Sequence, residues 1–197
     1  MTSTGSASLF NWNSFLRQYS RDLLERLEDR DFTSVPSQMI KAHWLGYRGA
    51  TEEDISATEV RLGINLPPSY RNFLTVSNGW WMFKDLLGKL YQIQEIERFA
   101  TRRQDVIDAW NQGIEAGGGF YEISDEDYFV YGERQDTASF RIEYLPTTLE
   151  IGGDENKGFI LLNPQIVFEN GEWEAWEFAA WFPGARRYRS FLDMIVQ

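Results

Sequence analysis

The chain has 197 residues, 43% of them hydrophobic, which is enough apolar material for one domain with a buried core. It contains no cysteine, so disulfides, thiolate metal sites and cysteine nucleophiles are excluded. The formal net charge is −11, and between Tyr91 and Ala185 nineteen acidic residues stand against six Lys or Arg. Such an excess of negative charge repels nucleic acid and attracts basic partners. The alternative is that the acidic residues serve solubility alone.

No targeting or membrane-spanning segment is predicted. Met1 to Ser8 is small and polar, without the basic and apolar regions of a secretory signal. No apolar run approaches the roughly 20 residues that a membrane helix requires. These features predict a cytoplasmic protein without a membrane partner.

The first predicted element is an amphipathic helix over Asn11 to Arg30. Apolar side chains recur at spacings of three and four on one side, as is typical of a helix face packed in a core. These side chains are Trp12, Phe15, Tyr19, Leu23 and Leu27. Val35, Pro36 and Ser37 interrupt the pattern. We therefore interpret residues 1–36 as an N-terminal helix or extension packed on a domain of residues 37–197.

His43 is the only histidine and lies next to Trp44. Because no second histidine and no cysteine accompany it, it is a poor zinc ligand. We expect it to be partly buried and hydrogen-bonded rather than catalytic.

Thr51 to Gly79 predicts two short helices joined by a tight corner. The Thr51 hydroxyl can accept from the amide of Asp54, whose carboxylate completes a capping box. Gly63 ends the first helix because glycine adopts the left-handed conformation cheaply. The second helix begins near Pro68, where the missing amide hydrogen costs nothing, and ends at Asn78 and Gly79.

Ten residues in and before this stretch stand at fixed offsets. They are Trp44, Ile55, Glu59, Leu66, Pro67, Tyr70, Phe73, Leu74, Asn78 and Gly79. Their order resembles the N-terminal signature of the SUKH superfamily, including the tryptophan that often precedes it. We interpret these ten residues as structural.

After Gly79, runs rich in aromatic and β-branched residues predict strands. They are Trp80–Phe83, Leu90–Ile93, Tyr128–Tyr131, Glu143–Ile151 and Phe159–Leu162. Part of Ile96–Gly113 is predicted to be helical, and Asn170 with Gly171 predicts a hairpin with a type I′ turn. Ser190 is expected to cap a last helix whose Phe191, Leu192, Ile195 and Val196 pack inward.

The expected fold is therefore α+β, with helices packed on one side of a mostly antiparallel sheet of about five or six strands. The glycine loop Gly117–Gly119 lacks the following Lys and Ser or Thr of a phosphate-binding loop. The turn around Asp154 and Asn156 is similar to a calcium loop, but Gln165 stands where a bidentate acid is needed. We interpret it as a solvated hairpin turn.

The sequence contains few residues of the kinds that catalytic sites use. There is one histidine, no cysteine and no metal-spaced cluster, and paired acids such as Asp125 and Asp127 lie among polar neighbours. We therefore expect no catalytic residues, no metal and no cofactor. Glu59 shares a helical face with Ile55 and is expected to accept from backbone amides of the loop after Gly79, the alternative being a ligand contact.

The resemblance implies a non-enzymatic immunity protein that neutralises a cognate bacterial polymorphic toxin, often a nuclease or deaminase. A basic toxin would meet an acidic surface, which we expect to comprise Asp125, Glu126, Asp127, Glu133, Asp136, Asp154 and Glu155. Exposed aromatic anchors are expected at Trp80, Trp81 and Tyr128. The alternatives are that these aromatics are core and the acids only solubilise, that the chain is an adaptor related to fungal cell-wall synthesis regulators, or that it senses a small ligand.

Overall fold

The computed structural model describes residues 10–28, 35–81, 88–115, 123–154, 158–179 and 183–197. The helices are α1 Trp12–Glu28, α2 Ser37–Ala42, α3 Glu52–Leu62, α4 Pro68–Val76, α5 Phe99–Glu115, α6 Asp125–Tyr128 and α7 Phe191–Val196. The strands are β1 Lys89–Leu90, β2 Glu97–Arg98, β3 Leu149–Asp154, β4 Gly158–Val167, β5 Trp173–Ala179 and β6 Ala185–Tyr188. Short 3-10 helices cover Ile93–Glu95, Gly132–Arg134 and Ile142–Thr147.

The chain forms two compact units, residues 1–46 and 47–197. In the first unit the predicted amphipathic helix is present as α1, and its buried hydrophobic side chains are Trp12, Leu16, Leu23 and Leu24. Phe15 and Tyr19 are only half-buried, and the side chain of Leu27 lies outside the described residues.

His43 ends α2 in the left-handed conformation, with φ 48°. Its amide donates to the carbonyl of Ile40, which closes the last turn of the helix. The side chain is exposed, so the expectation of a partly buried histidine is wrong. His43 is the C-cap of α2, and this role accounts for its left-handed backbone conformation.

The predicted helix pair is present in the second unit. Thr51 and Asp54 form the capping box, and Gly63 ends α3 with φ 67°. α4 begins at Pro68 but ends at Val76, before the predicted residues, with Ser77 in an extended conformation. The positive φ expected at the end of this helix occurs at Gly79 alone.

The sheet runs β1-β3-β4-β5-β6, with β2 also paired to β3, and every pairing is antiparallel. The α+β class is confirmed. Phe159 pairs with Phe178 and Leu161 with Trp176, and these four side chains share one core cluster with Phe99 of α5. All seven residues of β5 are buried, so both faces of the sheet are covered at this strand.

One predicted strand is wrong, and a second is correct only in its last three residues. Residues 128–131 form no strand, because Ser124 accepts from the amide of Asp127 and starts the single turn α6, which ends at Tyr128. Residues 142–147 form a 3-10 helix that contains Pro146, and the strand β3 begins only at Leu149. Trp80 forms an isolated bridge with Leu90 rather than a strand, and residues 82–87 lie outside the described part.

The hairpin between β4 and β5 is present, but its turn is not type I′. The Gly171 amide donates to the carbonyl of Phe168, and the Phe168 amide donates to the carbonyl of Glu172. Only Gly171 has a positive φ, 79°, whereas type I′ requires one at Asn170 as well. This is the pattern of a three-residue loop with a glycine bulge.

The last helix, α7, is capped by Ser190 as predicted. Phe191, Met194 and Ile195 are buried, and Phe191 packs edge-on against Tyr70 of α4. Val196 is 48% exposed, so its expected inward packing is wrong. Over the described ranges, we find no helix with the length and apolar character needed to cross a bilayer.

Candidate protein-binding surface

Among the described residues between Tyr91 and Ala185, four acidic side chains are buried in the second unit. They belong to Glu150, Glu172, Glu174 and Glu177. A buried carboxylate must be paired or hydrogen-bonded, since desolvation otherwise disfavours its charge. The acidity of this region is therefore partly internal, and the composition overstates the charge of its surface.

Glu174 is the centre of the largest of these internal networks. Both carboxylate oxygens accept hydrogen bonds, and the residue is fully buried. The donors are the Tyr128 hydroxyl at 2.7 Å, the Tyr131 hydroxyl at 2.8 Å, Trp176 Nε1 at 2.7 Å, Asn163 Nδ2 at 3.1 Å and Arg187 Nη1 at 3.3 Å. This carboxylate thus joins β4, β5 and β6 to the chain around α6.

Arg187 balances the charge of Glu174. Its Nη1 also donates to the carbonyl of Tyr128, and its Cζ lies 4.0 Å from the centre of the Tyr128 ring. Nε and Nη2 have no hydrogen-bond partner among the described residues, and the ring face is their neighbour instead. Burial, together with Glu174, raises the pKa of Tyr128 and Tyr131 well above the ordinary tyrosine value, so both hydroxyls remain donors.

The chain from Ser124 to Thr137, here called the acidic segment, is attached to the sheet along its length. Tyr128 and Tyr131 anchor its middle through Glu174. The Gln135 side-chain amide donates to the Arg187 carbonyl at 2.9 Å and accepts from the Arg187 amide at 2.7 Å. At its end, the Thr137 carbonyl accepts from the amide of Ala185 at 3.1 Å.

The structure brings five of the seven predicted acids together on this segment. Asp125, Glu126, Asp127, Glu133 and Asp136 are all exposed there. Asp154 is half-buried at the end of β3, where it accepts from the Gly158 amide. Glu155 lies outside the described residues.

The aromatic anchors are placed differently from the prediction. Trp80 is 1% and Tyr128 0% exposed, so their expected exposure is wrong, and Trp81 is half-buried. Phe129, which the sequence analysis did not single out, is 39% exposed directly after the acids of α6. The prediction of a strand over residues 128–131 gave no indication that Phe129 is exposed. Ser124 as a helix N-cap is the signal that predicts a turn with Tyr128 directed inward.

The signature residues that lie in the second unit are buried in its core or hydrogen-bonded to its backbone. Ile55, Tyr70, Phe73 and Leu74 are at most 1% exposed. Glu59 accepts from the Leu66 amide at 2.9 Å and from Arg71 Nε at 3.3 Å. The loop after Gly79 was therefore the wrong partner for this glutamate.

Asn78 binds the loop that was expected to be the partner of Glu59. Its Oδ1 accepts from the Ile93 amide at 2.7 Å. Gly79 follows with φ 92°, and a Cβ there would lie 2.9 Å from the carbonyl oxygen of Leu90. Asn78 therefore binds the backbone at Ile93, and Gly79 allows the backbone at Leu90 to approach closely.

A cleft of about 320 Å³ lies between the second half of the acidic segment and β6. Its lining consists of Gly132, Glu133, Gln135, Thr137, Arg186, Arg187, Tyr188 and Gln197. No group of three or more potential metal-ligating His, Asp or Glu side chains occurs among the residues described above.

A protein-family model described as "SMI1 / KNR4 family (SUKH-1)" matches residues 49–196. This match includes α3 and α4, the entire sheet and α7. A comparison with curated proteins gave no significant match.

Proposed function

The chain belongs to the SMI1 / KNR4 family (SUKH-1), and from this premise we propose that it is an immunity protein that binds and neutralises a bacterial polymorphic toxin. The observation that supports this function best is the acidic segment, which holds five exposed carboxylates on a backbone anchored to the sheet. The protein acts in the cytoplasm as a binding partner and not as an enzyme.

The negative charge of the acidic segment promotes its association with a basic toxin. A toxin that grips nucleic acid is basic where it contacts phosphates, and an acidic surface is steered towards that region and competes for it. Because Tyr128, Tyr131 and Gln135 fix the backbone, little ordering entropy is lost when the partner binds.

Phe129 supplies the apolar contact that Trp80 and Tyr128 cannot. It is 39% exposed, and Arg141 Cζ lies 6.0 Å from its ring centre. Partly exposed aromatic side chains surrounded by charge are typical of interface anchors. Phe129 contributes to the lifetime of the complex, while the acids contribute to its rate of formation.

The test is to express a toxin domain encoded beside this chain, with and without it, and to measure survival and binding. Glu126 and Glu133 suit charge reversal because they make no hydrogen bond or ion pair among the described residues. We expect Glu126→Lys with Glu133→Lys to lower the association rate about tenfold at low salt and to weaken its salt dependence.

The matched control reverses two exposed acids outside the segment, Asp105→Lys with Glu169→Lys, which changes the net charge equally. Equal rates for the two double variants would refute the role of the segment. Absence of protection would refute the immunity function, and binding to host proteins without protection would favour a regulatory adaptor.

A further inference from the structure

We propose that Arg189 binds an acidic side chain, aspartate or glutamate, of the partner protein. The inference rests on the proposed function for the identity of the partner, whereas the site is argued from the surroundings of Arg189. Tyr131 of the acidic segment lies against Arg189, so a partner that docks on the segment also reaches the guanidinium. The matching partner surface is basic opposite the acidic segment and carries one carboxylate opposite Arg189.

Arg189 directly follows β6 and is exposed. Its Cζ lies 5.0 Å from the centre of the Tyr131 ring and 6.0 Å from the centre of the Phe168 ring. Among the residues that the structure describes, it has no hydrogen bond and no ion pair. The two rings thus orient a guanidinium whose N–H donors remain available.

The two rings form a platform that is fixed from within the fold. The Tyr131 hydroxyl donates to the buried Glu174 at 2.8 Å. The rings of Tyr131 and Phe168 pack edge-on, with their centres 6.1 Å apart. The Phe168 amide donates to the Glu172 carbonyl at 2.8 Å, which holds Phe168 in the hairpin. An arginine that is oriented before binding loses less side-chain entropy when it pairs.

The charges around Tyr131 leave one cation unbalanced. Arg187 lies 5.5 Å from the centre of the same ring, and its charge is paired with Glu174 at 3.3 Å. No carboxylate among the described residues lies within ion-pair distance of Arg189. A carboxylate from another molecule is the matching group, because it accepts two parallel hydrogen bonds from the guanidinium fork.

A carboxylate of a protein fits this place better than a polyanion such as nucleic acid. Arg189 is a single cation next to a segment with five exposed carboxylates. A nucleic acid would bring many phosphates against those acids, and the repulsion would oppose binding. A protein surface can place one acid among bases and so match both charges.

Arg189 therefore contributes specificity as well as affinity. A partner surface that is basic throughout would place a cation against Arg189, and like charges in contact weaken a complex. Arginine is also enriched among the few interface residues that dominate a binding energy. The site thus distinguishes a matching toxin from other basic proteins.

The first experiment is an NMR titration of the full chain with sodium acetate at constant ionic strength, which needs no toxin. The side-chain Nε–H signals of Arg189 and Arg134 are compared in the same sample. Arg134 is the matched control, because it is an exposed arginine of the acidic segment without a ring contact or an ion pair among the described residues. We expect a saturable shift at Arg189, with a Kd at least about tenfold lower than at Arg134.

An Arg189 signal that binds acetate no more tightly than Arg134 overturns the site. Inorganic phosphate is the second probe, and tighter binding of phosphate than of acetate overturns the assignment of the site to a carboxylate.

The second experiment uses a toxin domain encoded beside this chain. Arg189→Gln should raise the Kd of the complex at least about tenfold, through faster dissociation. The association rate should not fall, because removal of a cation does not weaken the attraction of an acidic surface for a basic partner. Arg134→Gln removes the same charge and should change the Kd less than about threefold. Equal losses for the two variants would overturn the role of Arg189 in the complex.

The two proposals fail in different ways. Selective acetate binding at Arg189 without protection from the toxin would refute the immunity function and leave the site standing. Protection by the wild type, together with an Arg189→Gln variant that binds the toxin as tightly, would refute the site and leave the immunity function standing.

Discussion

At the scale of single residues, Glu59 shows how one carboxylate stabilises a corner of backbone. It accepts from the amide of Leu66, between α3 and α4, and its side chain is 12% exposed. Glu59→Ala leaves that amide without its acceptor, and we expect a loss of about 1–3 kcal/mol in the free energy of unfolding.

Urea denaturation at neutral pH measures this loss. Glu59→Gln is the matched variant, because its amide oxygen can still accept from Leu66, and its loss should be the smaller of the two. An alanine variant as stable as the wild type would show that the glutamate has no structural role.

Glu174 provides a stronger test, because it is buried with a charged partner. Its removal leaves the charge of Arg187 without its carboxylate partner and two tyrosine hydroxyls without an acceptor. We expect Glu174→Leu to cost about 3–5 kcal/mol in the free energy of unfolding.

A double-mutant cycle with Arg187→Met separates the pair from its surroundings. The double variant should be less destabilised than the sum of the two single variants, because neither charge is then buried alone. Strict additivity in urea denaturation would contradict the coupling.

The sequence revealed residues whose partners are close along the chain and missed those whose partners are distant. The cap at Thr51 and the helix end at Gly63 were predictable, because each involves residues at most four positions away. Glu174 binds Tyr128, 46 positions earlier, and only the register of the sheet brings the two together. The burial of Glu174 was therefore not predictable from its neighbours along the chain.

At the scale of secondary-structure elements, the acidic segment was the least predictable part of the candidate surface. Its aromatic and branched residues favour a strand, but Ser124 starts a helical turn that directs Tyr128 inward and leaves Phe129 at the surface. The acids themselves were predictable as exposed. It was not predictable that these acids lie on one anchored segment, because the segment is held by contacts with β5 and β6.

The edge of the sheet yields a prediction at the same scale. Gln135 uses its side-chain amide as a neighbouring strand would use its backbone, binding both groups of Arg187 on β6. Gln135→Ala removes these hydrogen bonds and uncovers the edge. We expect a loss of about 1–3 kcal/mol in the free energy of unfolding and increased self-association, since open edges pair with other chains.

Denaturation and sedimentation velocity at several protein concentrations, both relative to the wild type, check this prediction. Gln104→Ala is the control, because the Gln104 side chain is exposed and, within the described residues, hydrogen-bonds only to Asp108 of α5. Unchanged stability and sedimentation of the Gln135 variant would show that the edge is protected by other means.

At the scale of the whole molecule, composition and structure give different pictures of the charge. The net charge of −11 counts Glu150, Glu172, Glu174 and Glu177, yet these acids are internal. The fold class was predictable, because the helix-pair signature is local and the alternating strands are clear. The division of acids between core and surface was not, because burial is decided by the assembled sheet.

Glu172 links distant parts of the second unit, and its titration is therefore visible in the stability of the whole fold. Its two oxygens accept from the amide and the hydroxyl of Ser69 at the start of α4, at 2.8 and 2.7 Å. The Ser69 hydroxyl oxygen in turn accepts from the amide of Leu192 in α7. One carboxyl group thus connects the hairpin, α4 and α7.

Burial raises the pKa of Glu172 above its ordinary value of 4.5, against the opposing effect of the Ser69 hydrogen bonds. The folded state therefore holds this proton more tightly than the unfolded state does. The stabilisation is fully present below pH 4.5 and is lost as pH rises through the folded-state pKa.

Glu172→Gln imitates the protonated side chain at every pH. We expect the wild type to lose stability relative to this variant as pH rises from 4 towards neutrality, and the difference to become constant once the carboxyl group is ionised. Urea denaturation of both proteins between about pH 4 and 8 measures this difference, in which the other titrating groups cancel. A difference that is independent of pH, or one that changes in the wild type's favour, would show that burial does not dominate the pKa of this carboxyl group.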